Sequence, residues 1–282
     1  MNFKNICIVG LGLIGGSLSK AFASKGYSVY GFDYDIETIN IAKSEGIFSH
    51  LSNEIDSNVS NCDLVFVCVS IEKTLDAFKA IIPYLKENCI VCDVASVKSH
   101  FFNEVIKIIP KKVNFISTHP MAGTQYSGYK NSFKEIFIDR PFLIIKNEKA
   151  RHLVDELSNF LKTNLCVNVY LINSIYEHDT LVSLISHLPM FIAVSLSNTL
   201  KKYNQDFPYL NLVAGPGFKD TSRLALQNPN FTYSIFKLNK EEILKVVDSY
   251  FDTLASLREF LEKDLEALRS EIVAAREFRG RF

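Results

Sequence analysis

No sign of charge predominates in this 282-residue chain, where 31 lysines and arginines meet 31 aspartates and glutamates. Surfaces that hold nucleic acid or anionic membranes carry basic patches, and the nearest approach is a short tail with Arg276, Arg279 and Arg281. The balance argues against both partners. Uninterrupted apolar runs are short, none approaching the roughly 18 residues that span a bilayer. The stretch from Ile6 to Ala23 superficially resembles a secretory leader, but four glycines interrupt it and Lys20 stands where a cleavage site needs small neutral residues. A disulfide or metal framework is missing too. Most of the six cysteines sit in β-branched runs such as Leu64 to Val69, where a thiol behaves as a small buried hydrophobe. Cys89 and Cys92, three apart in an extended run, face opposite sides of a sheet. These absences leave a reduced, cytoplasmic, soluble chain without metal, long enough for two domains at about 100 to 200 residues each.

What is present falls into two halves. Asn5 to Val9, Ser28 to Phe32, Leu64 to Val69, Cys89 to Asp93 and Val113 to Ser117 are short and apolar on both faces, and helical patterns near Ile14 to Ser24, Ile36 to Ser44, Thr74 to Leu85 and Lys98 to Ile109 lie between them. This alternation predicts an α/β Rossmann-type, doubly wound parallel sheet. Phe142 to Ile145 and Cys166 to Leu171 read as further strands around a helix at Arg151 to Thr163. After about residue 172 the spacing becomes helical throughout, with Tyr176 to Lys201, Leu210 to Ala214, Phe231 to Leu238 and one long stripe from Lys240 to about Arg276. The division is therefore 1–172 and 173–282. The last stripe is broader than one small all-α domain needs for its own core, so part of it is expected to bury against a second copy.

Gly10-Leu11-Gly12-Leu13-Ile14-Gly15 closes the first strand and opens the first helix, and Asp33 follows 18 residues after Gly15 at the end of the second strand. In that context the glycines serve a dinucleotide: Gly10 turns tightly, Gly12 admits a pyrophosphate, and Gly15 lets helix and strand pack closely. Asp33 suits a ribose diol and its charge opposes a 2′-phosphate; Tyr34 and Asp35 follow where an arginine would favour NADP, so NAD is expected. Leu13 and Ile14 within the loop, and Ser70 just past the third strand, are further candidate cofactor contacts.

Three clusters fall where a ligand could meet a nicotinamide: Asp93-Val94-Ala95-Ser96-Val97-Lys98, then Ser117 to Thr124 with His119-Pro120-Met121-Ala122-Gly123, and finally Ser186-His187-Leu188-Pro189 with Gly215 to Arg223. A histidine that ends a buried strand before Pro and Gly is poorly explained by packing, whereas His50, His100 and His152 read as surface residues.

With these motifs in order, the chain resembles prephenate dehydrogenases over essentially its whole length. The resemblance implies a Rossmann domain, a helical dimerisation domain forming a homodimer, and NAD-dependent oxidative decarboxylation of prephenate to 4-hydroxyphenylpyruvate in tyrosine biosynthesis. It implies that His119 accepts a hydrogen bond from the ring hydroxyl, that Ser96 orients that imidazole and the hydroxyl, and that Arg223 pairs with a substrate carboxylate. His187 would shape the pocket beside Thr124 and Gln125; the neutral amide of Gln125 offers nothing to the ammonium of arogenate, which favours prephenate. Neither a fused chorismate mutase nor a regulatory ACT domain is expected at this length. Met190 stands where relatives often carry a second histidine after SHLP, and Thr232 falls where they commonly have tryptophan, a residue this chain lacks entirely. Arogenate or broader cyclohexadienyl dehydrogenase activity, a β-hydroxyacid dehydrogenase, and a nucleotide sensor without catalysis are the competing readings.

Overall fold

A computed structural model describes residues 3–147 and 150–282. Eight strands, β1 (Asn5–Val9), β2 (Ser28–Phe32), β3 (Phe48–Ser52), β4 (Leu64–Val67), β5 (Ile90–Asp93), β6 (Asn114–Pro120), β7 (Pro141–Ile145) and β8 (Asn168–Ile172), form one sheet among the described residues in the order β3-β2-β1-β4-β5-β6-β7-β8. Alternate residues of each central strand enter opposite layers: Ile6, Ile8, Leu64 and Phe66 pack on one side, Cys7, Val9, Val65 and Val67 on the other. The sheet is buried on both faces, which is why its strands read as continuous apolar runs. Cys92 lies in the first layer and Cys89 in the second, so this pair is split by the sheet. Helices α1 (Leu13–Ser24), α2 (Ile36–Ser44), α3 (Thr74–Ile81), α4 (Phe102–Ile108) and α5 (Arg151–Leu165) connect the strands.

Two features depart from the sequence reading of a parallel sheet. β3 goes unread because Phe48-Ser49-His50-Leu51-Ser52 is mostly polar and does not alternate, lying at the sheet's edge where none of the five residues is buried. And β7 runs antiparallel to β6. The segment between them holds only the 3₁₀ turns Tyr129–Asn131 and Lys134–Phe137, and it is laid over α1, with the Phe133 amide donating to Ser17 Oγ and Lys20 Nζ to the Ser132 carbonyl. With no crossover helix to carry the chain to the far edge, it re-enters the sheet from the edge it left.

Beyond β8 the described chain is helical: α6 (Ile175–Val182), a π-helical turn (Ser183–His187), α7 (Leu188–Tyr203), α8 (Leu210–Val213), α9 (Pro216–Ser222), α10 (Pro229–Leu238), α11 (Lys240–Lys263) and α12 (Leu265–Arg279). The stripe expected to continue to Arg276 breaks at Asp264, whose extended backbone (φ −148°, ψ 86°) and carboxylate cap the Ala267 amide and start α12. Ile175 to Tyr203 is one continuous helix of 29 residues that contains an 18-residue stretch of mean hydropathy 1.7, long and apolar enough by composition to cross a membrane. Counting uninterrupted apolar runs misses it, because Ser183, Ser186 and His187 interrupt the apolar stretch. His178, Asp179, Ser183 and His187 are buried.

The two halves share a core. Ile71 and Val97, from connections at the carboxyl edge of the sheet, pack with Met190, Ile235, Ile243 and Val247. Met190 is thus an apolar member of the junction. In α11 only Ile243, Val246 and Val247 are buried and in α12 no residue is; Phe251, Leu254, Leu261, Leu265, Ile272 and Phe278 stand exposed.

Truncating the junction should cost stability while truncating an exposed apolar residue should not. Met190→Ala is expected to lower unfolding free energy by about 2–4 kcal/mol, and Leu212→Ala, at a site 81% exposed, to change it by less than about 0.5 kcal/mol. Urea unfolding of the two variants checks this; equal midpoints would contradict the junction's role.

Candidate active site

The glycine loop has the geometry its sequence predicts. Gly10 has φ +93°, and a Cβ there would lie 2.8 Å from the Cys68 carbonyl carbon; a Cβ on Gly15 would sit 1.9 Å from the Gly10 oxygen. Gly12 is different: nothing lies within 4 Å of the position its Cβ would take. It is the N-cap of α1 and brings no capping side chain, so the first amides of that helix are left for an anion approaching over Gly12. Asp33 accepts the Leu11 amide at 2.6 Å through one oxygen and the Asp35 amide at 3.0 Å through the other, tying the end of β2 to the loop. Leu13 and Ile14 are half-buried against the sheet layer, and Ser70 is exposed ahead of the 3₁₀ turn Ile71–Lys73. This cradle fits a dinucleotide.

The neighbouring connection, after β5, is built around a buried lysine. Lys98 has no exposed surface, and its Nζ donates to Asp93 and to the Thr118 carbonyl. Burial pulls its pKa down and the Asp93 carboxylate opposes that. The ion pair thereby pins the Asp93–Lys98 turn against β6 one residue before His119.

His119 keeps 7% of its surface exposed and is engaged from the helical half. Its Nδ1 lies 2.9 Å from Nε2 of His178 on α6, and Nδ1 of His178 lies 2.8 Å from the Asp179 carboxylate. That carboxylate accepts the backbone amides of Lys98 at 2.9 Å and Ser99 at 2.8 Å, back in the sheet half. Burial works against the Asp179 charge, but the hydrogen bonds from His178 and the two amides outweigh it and hold the carboxyl below its ordinary range. Burial, then the neighbouring His178, Lys98 and His187, drive His119 well below the usual histidine value. His187 is pushed down to about 4, mainly by burial. Asn239, at the start of α11, joins this group, its Nδ2 lying 3.0 Å from the Asp179 carbonyl and 3.1 Å from His187 Nδ1. Nine residues make about two and a half turns of regular α-helix, which would set His178 and His187 on opposite faces; the intervening π turn changes that phase.

The other expected residues stand outside the hydrogen-bonded group. Ser96 is half-buried and makes no hydrogen bond to His119 among the described residues; the orientation expected of it is supplied by His178. Arg223 is exposed and unpaired among the described residues, opening the 3₁₀ turn Arg223–Leu226, while the next residue, Leu224, packs on the junction core that includes Val97. Thr124 and Gln125 lie exposed just after β6, with Thr124 Oγ1 accepting the Tyr126 amide at 3.1 Å. His50, read as a surface residue, is half-buried and bonded to Asp56 at 2.9 Å. His178, Asp179 and Asn239 are the members that sequence reasoning missed. The available signal was an adjacent His-Asp pair leading into a mainly apolar helical stretch, where unpaired polar groups are costly.

A methyl group at Gly15 has nowhere to go, because the obstructing atom is backbone. Gly15→Ala should weaken nucleotide binding by more than about tenfold, some 1.4 kcal/mol, measured by calorimetric titration; unchanged affinity would mean that the loop does not hold the ligand.

Comparisons with known proteins agree with this geometry. The family model for the nucleotide-binding domain of prephenate dehydrogenase matches residues 18–170, and that for its dimerization domain matches residues 174–273. Prephenate dehydrogenase of Bacillus subtilis is 27% identical over 97% of this chain and 75% of its own length. A crystal structure of prephenate dehydrogenase from A. aeolicus, in complex with hydroxyphenyl propionate and NAD+, superposes with a TM-score of 0.89 at 27% identity, covering 100% of this chain and 99% of that one. Synechocystis arogenate dehydrogenase superposes at 0.84 with 26% identity, covering 98% and 99% of the two chains. An edge-to-edge match of this kind, over both the glycine cradle and the helices that carry His178 and His187, places the chain in the prephenate dehydrogenase family of oxidoreductases.

Proposed function

We propose that this chain oxidises prephenate with NAD, releasing carbon dioxide and 4-hydroxyphenylpyruvate as a step of tyrosine biosynthesis. The observation that carries the reading is a buried, neutral imidazole, His119, whose second nitrogen has no protein partner among the described residues and which ends a strand of the same sheet that carries the dinucleotide cradle. Gly10, Gly12, Leu13, Ile14, Gly15, Asp33 and Ser70 hold NAD, which when bound supplies the hydride acceptor. His119 Nε2 takes the proton from the ring hydroxyl as that carbon–oxygen bond becomes a carbonyl. The bond to the ring carboxylate then breaks, carbon dioxide leaves, and its electron pair completes the aromatic ring. The ring oxygen takes its proton back from His119. The balance leaves no proton over, so a buried site with no proton exit suffices.

Ser96 contacts the substrate hydroxyl, and the unpaired fork of Arg223 takes a substrate carboxylate, as a planar guanidinium does better than an ammonium. His187, Thr124 and Gln125 line the pocket, and Gln125 favours prephenate because it presents no charge to an amine. The neighbouring arogenate enzyme supports the alternative, arogenate or broader cyclohexadienyl specificity. The division at 1–172 and 173–282 separates the cofactor half from a helical half that forms a homodimer through the exposed apolar faces of α11 and α12, as supported by the match to a dimerization domain. Six free thiols suit a reducing cytoplasm.

Absorbance at 340 nm with NAD and either prephenate or arogenate tests the reading. Prephenate should give the higher initial rate; NADH from neither substrate would refute the function, and a higher rate with arogenate would refute the specificity. His119→Asn should lower kcat about 10²-fold or more with NAD affinity kept, and Arg223→Ala should raise KM for the substrate.

A further inference from the structure

We infer that Asp179 is a positioning residue for the oxidation, fixing through His178 which nitrogen of His119 is free to accept the substrate's proton. The inference deepens the dehydrogenase reading and rests on it. It follows from the protons along one chain of hydrogen bonds. The Asp179 carboxylate has only acceptors to offer, and two of its partners are the backbone amides of Lys98 and Ser99, which can only donate. Its third partner, Nδ1 of His178 at 2.8 Å, must therefore carry a hydrogen. A neutral His178 then has a bare Nε2, and across the 2.9 Å contact that atom accepts from Nδ1 of His119. Neutral His119 has one ring hydrogen, now committed to Nδ1, so its Nε2 lone pair is free. The reactive tautomer is set two residues away from the reacting atoms.

The chain also crosses the junction twice. It leaves β6 at His119, runs through His178 and Asp179 on α6, and ends on the Lys98 and Ser99 amides of the sheet half. The base is therefore defined only while α6 is docked on the sheet. The charged and titratable groups around His119 are Asp93 and Lys98 from β5 and the turn after it, His178 and Asp179 from α6, and His187 from the π turn. Lys98 is paired with Asp93, and His187 meets Asn239. Among these groups Asp179 is the one that dictates the position of a hydrogen on His178.

Asp179→Asn isolates the effect, because it is nearly isosteric and, with its nitrogen turned to His178, keeps the oxygen that accepts the Ser99 amide at 2.8 Å and the Lys98 amide at 3.3 Å. Its new amide group donates to Nδ1 of His178, which moves the His178 hydrogen to Nε2, turns His119 Nδ1 into an acceptor and places the His119 hydrogen on Nε2. The variant should lose about 10²-fold or more in kcat across the pH range, with KM and NAD affinity within about twofold of wild type. Nitrogen-15 NMR of the imidazoles provides a readout that a merely structural role would not move: His119 should be the Nδ1–H form in the wild type and the Nε2–H form in Asp179→Asn. Retained kcat in the variant, with the wild type active, would overturn the role of Asp179. An Nε2–H form of His119 in the wild type would overturn it without any variant. If the wild type makes no NADH from prephenate or arogenate, the dehydrogenase reading fails, and the tautomers still decide the inference.

Discussion

The contact on which the site depends is the seat of one carboxylate. Asp179 belongs to the helical half, yet two of its hydrogen bonds come from the backbone of the sheet half, and a third comes from the imidazole that abuts His119. A buried charge is tolerated when its acceptors are filled, and here filling them requires both halves at once. The apolar contact of Val97 and Ile71 with Met190, Ile235, Ile243 and Val247 supplies the non-directional part of the same docking. Val97 stands between Ser96 and Lys98, so the turn that meets the helices through its side chain also meets them through its amides.

The consequence is a division of labour along the sheet's carboxyl edge. The first connection, after β1, is stripped of side chains where a pyrophosphate would approach, and its conformation leaves no room for anything but glycine at positions 10 and 15. The connection after β5 is held by a buried ion pair as well as by the apolar contact of Val97. The strand end after it, at His119, brings a titratable ring to the junction with its Nδ1 on His178 and its Nε2 without a protein partner among the described residues. Burial keeps that ring neutral, since there is little solvent to stabilise a second proton.

Much of this was legible in the sequence, and the parts that were not share a cause. The glycine loop, Asp33 and His119 are readable because local spacing constrains them: a turn, a strand end and a helix start fall within a few residues of each other. His178, Asp179 and Asn239 are not, because their meaning lies in contacts 59 to 81 residues away along the chain. The same holds for β3, whose polar composition reflects its place at the sheet's edge, and for the reversal of β7, which follows from a connection packed over α1 instead of a crossover helix. Ser96 shows the opposite limit. Its motif put it on the turn after β5, but the hydrogen bond to His119 comes from a ring on another element.

The central claim is that His119 is a neutral base at working pH, held so by its buried surroundings. The direct measurement is an NMR titration of the His119 Cε1–H resonance in the free wild-type protein. The account predicts that the ring stays unprotonated as pH falls through the ordinary histidine value of about 6.5. Protonation at or above that value would contradict it.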